Sequence, residues 1–356
     1  MQTAQDLLQT LARVDLGDAL VLTVYLDLRP HTTGENPGMR VAHTVLKDRL
    51  RDIEKTLLPR GQALDEFRAD AARVNRFFED HAEPYLQGVA LFACHRRQLF
   101  EVLETGVPFD DQVVLEPRPD LFQLARLADE NETAVVALVD TNTARIFVTR
   151  QGFLHEVGGP NVDSVFTRHR NTGGLNHKRY QRRVLNRRMD FAREMAEAVV
   201  AAVEHDGATR IILAGDNVAI PLLHRALPAK LEPLISEQIL RLDIRTPRAD
   251  VQDEIAPLLA QVEADASHDV ATRLIEAVRE QGLGVLGTQE TRDALSHGQG
   301  ETLVLADEAP LAANERNELV HLATVNGAAV ETVRGHATLT AAGGVGALLH
   351  YRLSWV

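Results

Sequence analysis

Apolar and polar positions alternate along this chain in rhythms that change several times. Residues 19–28 (ALVLTVYLDL) form a β-branched, aromatic-containing run that predicts a strand. A loop rich in Pro, Gly and Thr follows at 29–38. Val41, Val45, Leu46, Leu50, Ile53 and Leu57 then recur at helical spacing with charges opposite, so a helix is expected over 41–58. A second helix is expected around 64–81, then strands at 88–93 and 98–103. The stretch 108–119, with Pro117 and Pro119 at its end, reads as a connection and sets a domain boundary near Ala128.

The middle third opens with two strand-like runs, 133–140 and 144–149, separated by the turn formers Asp140, Thr141, Asn142 and Thr143. A polar stretch without periodicity occupies 158–174. Helical spacing returns over about 178–204, basic on most faces at first and then apolar at Phe191, Met195, Val199 and Val203. A buried strand at 210–214 and helical segments at 220–227 and 248–263 complete an α/β layer pattern. From about Ala264 helices (270–280, 290–297, 314–326) alternate with strands (284–286, 301–305, 329–333, 347–353). The expected fold class is α/β in three domains, 1–128, 129–263 and 264–356, the last a compact αβα unit.

Charge changes this picture at one place. The formal net charge is -13, which argues against nucleic acid as a general partner. Residues 168–193 nevertheless hold nine Lys or Arg and one acid, Asp190, a local net of +8 in a chain that is otherwise -21. An acidic body with one concentrated basic element can dock that element on phosphate and resist indiscriminate binding elsewhere. A solvated basic helix that offsets acidic neighbours is the alternative. Cys94 is the one cysteine and sits in the apolar run 89–94, so it reads as a buried thiol, with neither an internal disulfide nor a zinc cage available to it. Residues 1–6 lack the pattern of a signal peptide, and no apolar run approaches the roughly 18 residues that cross a membrane. A cytoplasmic protein without a membrane partner is expected.

The candidate chemistry lies where the polar stretch meets the basic helix. Gly173 and Gly174 allow backbone conformations closed to other residues and a close approach to a ligand. A helix starting there directs free N–H groups and the positive end of its dipole to the same place. Lys178, Arg179, Arg182, Arg183, Arg187 and Arg188 add charge along its first turns. Together they describe a tip suited to an RNA-lined crevice.

The run GGLNHKRYQRRVLNRRMDFAREMAEAVV resembles the central-domain motif of archaeal and eukaryotic class 1 release factors, where Gly-Gly-Gln precedes a basic helix. Its flanks, VVALVDTNTARIF at 135–147 and IILAGD at 211–216, resemble the hairpin and strand around that motif. In the last third, GVLG at 284–287, Thr291 to Ala294, ETLV at 301–304 and AGGVGALLHY at 342–351 resemble the L7Ae-like third domain of release factors and Pelota. Release factors that read stop codons carry Asn-Ile-Lys-Ser and Tyr-x-Cys-x-x-x-Phe motifs in their first domain, and neither occurs here. Instead, the strand ending VYLDL at 24–28 resembles bacterial members, which include peptidyl-tRNA hydrolases of ribosome quality control and, more distantly, Balon-type hibernation factors.

The resemblance implies a ribosome partner, contacted through rRNA at the A site and the peptidyl-transferase centre, and the acceptor end of tRNA. A translational GTPase is a further partner it admits; DNA is not. Gly173, Gly174, Asn176 and His177 would act at the ester. Leu175 stands where the family has its catalytic glutamine, and leucine cannot hydrogen-bond a water. His177 could instead position water or act as a general base. Equally, Asn176 could cap the basic helix and His177 contact RNA, without chemistry. Gly282 to Gly287 satisfies G-x-G-x-x-G, but a dinucleotide site needs a strand first and a helix starting at the glycines. No cofactor is expected. His155, His169 and His177 lack paired ligand spacing, so no metal is expected either. Asp140 and Asp216 end strands and are expected to serve turns and caps.

Overall fold

Thr3 starts the first helix, α1 (Ala4–Arg13): its hydroxyl accepts from the Asp6 amide while Asp6 accepts from the Thr3 amide, a capping box. The structure, a computed structural model, describes residues 3–29, 37–57, 61–80, 86–130, 133–158 and 175–352. The expected first strand is β1 (Val21–Asp27). Two helices follow, α2 (Pro37–Thr56) and α3 (Gln62–Asp80), then β2 (Gly88–Cys94), β3 (Leu99–Thr105), β4 (Gln112–Glu116) and α4 (Phe122–Glu130). The strands form an antiparallel sheet in the order β3-β2-β1-β4. In α2 it is Ala42, Leu46 and Leu50 that turn inward, while Val41 is 44% exposed, so the buried face is rotated from the expected one. β4 lies inside the stretch 108–119 that the sequence presents as a connection, and α4 follows it across the expected boundary near Ala128.

The middle of the chain contains β5 (Ala134–Val139), β6 (Ala144–Arg150), β7 (Phe153–Gly158), α5 (Leu175–Asp206), β8 (Arg210–Gly215), α6 (Ala219–Ala226) and α7 (Arg248–Arg279). Its sheet has the order β7-β6-β5-β8, with β5 and β8 parallel and the other pairs antiparallel. The β5–β6 turn is the one expected: Asp140 accepts from the amides of Asn142 and Thr143. Asp216 accepts from Val218 and Ala219, so both strand-end carboxylates serve turns. At Gly215, with φ +119°, a Cβ would lie 2.0 Å from the Val139 carbonyl oxygen, so only glycine fits this close approach. The two helical segments expected at 248–263 and 270–280 are one continuous helix, α7, with Pro257 inside it.

The last segment contains β9 (Gly284–Leu286), α8 (Thr288–Ser296), β10 (Gly300–Ala306), α9 (Ala313–Asn326), β11 (Ala329–Val333), α10 (Ala337–Ala341) and β12 (Val345–Leu349). The sheet order is β11-β10-β12-β9, parallel between β10 and β11 and antiparallel elsewhere. Val304, Ala306 and Leu348 pack on Ala271 and Leu274 of α7, whereas Leu303 and Leu305 pack on Leu319, Val320 and Ala323 of α9. Alternate side chains of β10 thus face opposite helical layers, which makes the αβα sandwich.

By internal contacts the chain divides into two units, Met1–Glu130 with Leu259–Val356, and Asn131–Leu258. Within the first unit a single core joins Leu7, Leu8 and Leu11 of α1, Tyr25 and Phe92 of the first sheet, Leu124 and Leu127 of α4, and Leu319 and Val320 of α9. Polar contacts fix the same joint. The Tyr25 hydroxyl donates to the Asp120 carbonyl at 2.6 Å. Asn317 of α9 accepts from the Leu121 amide and donates to the Pro119 carbonyl. Burial holds the Asp120 carboxyl above its ordinary range, and it accepts from the Phe122 amide and the Gln112 side chain.

Candidate nucleic-acid interface

The basic helix is anchored by its second half. Phe191, Ala192, Met195, Ala196, Val199, Ala202 and Val203 of α5 are buried against Val135, Ala137, Ile146, Val148, Ile211 and Leu213 of the sheet. At the far end, Arg150 of β6 pairs with the buried Asp206 carboxylate. The apolar repeat that starts at Phe191 therefore has a packing reason, and the basic run of the sequence precedes it.

Those turns hold the predicted site residues. Gly173 and Gly174 lie outside the described residues. Asn176, His177, Lys178, Arg179, Arg182 and Arg183 fall on the backbone of α5, and their side chains are also outside the description. Helix α5 runs from Leu175 to Asp206, so Asn176 falls in its first described turn. Beyond this, Arg187 is exposed and Arg188 half-buried. Arg193 is exposed and meets Asp190 at 3.2 Å on the same helix. An exposed i,i+3 pair of this kind is weak and leaves the arginine available to a stronger anion.

The hairpin that leads into the 159–174 stretch is braced by residues whose role no sequence pattern announces. Arg145 of β6 donates to both carboxylate oxygens of Glu156 on β7 at 2.9 Å, and to the carbonyls of Ile244 and Thr246. This holds the Glu156 carboxyl below its ordinary range, through the hydrogen bond first. Gln252 donates to the Gly152 carbonyl in the hairpin turn. On β7, burial and then the charges of Arg150 and Arg248 depress the His155 imidazole, and its Nε2 is buried without a hydrogen-bond partner among the described residues. The one group of three potential metal-ligating side chains among the described residues is Asp129, Glu263 and Glu331, which contains no histidine. No described helix is long and apolar enough to cross a membrane.

A sheet carrying a long helix, apolar where it packs and basic before it, defines an α/β domain suited to anionic partners. Residues 119–261, which contain this domain, match the model of Bacterial archaeo-eukaryotic release factor family 10. Over that segment the chain is similar to the bacterial members of the archaeo-eukaryotic release factors. No curated protein sequence matches the chain significantly. Similar solved structures include archaeal Pelota from a model of its ribosome-bound complex with ABCE1 (15% identity, 99% of this chain and 95% of that chain, TM-score 0.47). Saccharomyces cerevisiae Dom34, described as a translation termination-like factor interacting with Hbs1, is another (12% identity, 99% and 94%, TM-score 0.44). Archaeoglobus fulgidus Pelota is a third (14% identity, 99% and 94%, TM-score 0.39).

Proposed function

We propose that this protein is a ribosome-associated rescue factor that brings Gly173 and Gly174 to the peptidyl-transferase centre and hydrolyses peptidyl-tRNA. The observation that carries this reading is the family match over residues 119–261, which spans the Gly-Gly sequence and the basic first turns of α5. In the reaction, water attacks the ester carbonyl that joins the nascent chain to the tRNA ribose. The C–O bond breaks, the peptide leaves as a carboxylic acid, and the ribose oxygen takes up a proton. His177 would accept the proton of the attacking water as general base, with Asn176 helping to order that water. Lys178, Arg179, Arg182, Arg183, Arg187 and Arg188 would hold rRNA phosphates or the tRNA acceptor end.

Positioning does much of such a reaction, because the ester is already activated and an oriented water needs little further help. Leu175 favours a second reading. A leucine after the glycines supplies no side-chain hydrogen bond, which suits a factor that occupies the A site of idle ribosomes and protects them.

Peptidyl-tRNA release on purified ribosomes separates the two. Turnover by the native protein that falls at least about tenfold in His177→Ala, a loss of about 1.4 kcal/mol of transition-state stabilisation, supports the hydrolase. Stoichiometric binding without release supports the protective factor. Failure to sediment with ribosomes at low salt overturns both.

A further inference from the structure

A second arrangement lies in the other unit, where α4 meets β11 and α7. Asp129, near the end of α4, caps the edge strand of the last sheet: its Oδ2 accepts from the Thr332 amide at 2.7 Å and from the Thr332 hydroxyl at 2.9 Å. A side chain from the first segment thus completes the sheet edge of the last. Two more carboxylates meet it there, Glu263 of α7 and Glu331 of β11, with one oxygen of each of the three within 4.8 Å of the others. The buried Ser267 hydroxyl tethers these two, at 3.0 Å from Glu263 Oε1 and 2.7 Å from Glu331 Oε1.

Two arginines near the joint are engaged with other acids. Arg334 pairs with Glu130 at 2.7 Å and approaches Asp307 at 3.7 Å, and Arg126 approaches Asp110 at 3.0 Å and Asp307 at 3.6 Å. His268 of α7 donates its Nε2 proton to the Arg334 carbonyl. Three ionised carboxylates packed this closely in a half-buried joint would repel one another, and neutralising one of them relieves that repulsion.

We propose that this joint is a proton-operated latch: a proton held by Asp129 against Glu263 and Glu331 keeps α4 seated on β11, and its departure loosens the contact. Burial, and after it the charge of Glu331, pushes the Asp129 carboxyl up to about 8, with Glu263 adding to the rise and the hydrogen bonds from Thr332 opposing it. In an opened joint the same carboxyl titrates near 4. Between these values the closed joint holds one proton more than the open one, so closure is strongest in acid and weakens as pH rises. The opening equilibrium rises about tenfold per pH unit from about pH 5 and levels off above about pH 8.

Hydrogen exchange of the Thr332 amide in the full chain tests this, expressed as a protection factor so that intrinsic base catalysis is divided out. The Val136 amide of β5 serves as a control. Thr332 protection is expected to fall about tenfold per pH unit between pH 6 and 8. In Asp129→Asn the profile is expected to be flat, because the amide retains an oxygen for Thr332 and does not titrate. Constant protection in the native sequence overturns the proposal, and so does an undiminished slope in Asp129→Asn. Should that variant fail to fold, carbon-13 titration of the Asp129 carboxyl in the native protein decides the question: a midpoint near 8 supports the latch and one near 4 overturns it.

Discussion

Asn317→Ala tests whether the first and last segments of the chain stand or fall as one body. The Asn317 side chain is 6% exposed and makes two hydrogen bonds to the turn that starts α4. Its oxygen accepts from the Leu121 amide at 2.8 Å, and its nitrogen donates to the Pro119 carbonyl at 3.0 Å. Alanine would strand both backbone groups where Leu121 is fully buried and water cannot replace the amide. Each of the two stranded groups costs about 1–3 kcal/mol, so about 2–6 kcal/mol of stability is at stake. Urea unfolding gives the total, and hydrogen exchange gives its distribution. Amides of β2 and β10 are expected to lose protection together, because α1, α4 and α9 share one core. Asn317→Asp keeps the acceptor, loses the donor and adds a charge beside Asp120, whose carboxyl burial already holds above its ordinary range. It is expected to be as damaging at neutral pH and to recover as pH falls, when a protonated carboxyl can donate to Pro119. A loss below about 1 kcal/mol in Asn317→Ala, or β10 failing while β2 stays protected, refutes the reasoning.

Three further outcomes are expected. Gly215→Ala would place a Cβ 2.0 Å from the Val139 carbonyl oxygen at a φ of +119°, and a loss of about 3 kcal/mol or more should appear as a lower unfolding midpoint. Tyr25→Phe removes the hydroxyl that donates to the Asp120 carbonyl; about 1–2 kcal/mol in urea unfolding is expected, without effect on ribosome binding. Arg187→Glu, at an exposed position of α5, should weaken ribosome sedimentation and lower the slope of log affinity against log salt by about 0.7–0.9 for each phosphate no longer neutralised, with unfolding unchanged.

Elements whose apolar pattern is long enough to be self-announcing were legible in the sequence: β1, the apolar half of α5, the β5–β6 turn and the alternating last segment. Elements that depend on a distant partner were not. Helix α1 has ten residues and α4 nine, and their leucines are buried only because α9 and the first sheet close over them. Strand β4 is partly buried along its whole length, so alternation is absent from its sequence and its pairing with β1 is what defines it. In α7 the run Ala264 to Asp269 shows no apolar rhythm, yet every residue in it tolerates a helix, and the two expected helical segments join. The meeting of Asp129, Glu263 and Glu331 depends on three distant stretches of chain arriving at one joint, a matter of topology that no local pattern encodes.

The candidate site shows the same division inside one helix. Phe191, Met195, Val199 and Val203 announce a packed face because each must leave water, and the sheet receives them all. The basic turns announce only charge, which suits a phosphate partner and a solvated helix equally. Stability measurements separate these alternatives, and the described anchors of α5, its core face and Arg150 on Asp206, lie in its second half. A basic helix that merely offsets acidic neighbours would contribute to folding, and replacing its arginines would lower stability. Turns that are outside the core and serve a partner can lose charge freely. Arg179→Ala and Arg183→Ala together are therefore expected to leave the urea midpoint within about 0.5 kcal/mol of the native value while ribosome affinity drops. A matched loss of stability with unchanged sedimentation would return the basic helix to a structural role and leave the Gly173-Gly174 sequence without a docking element.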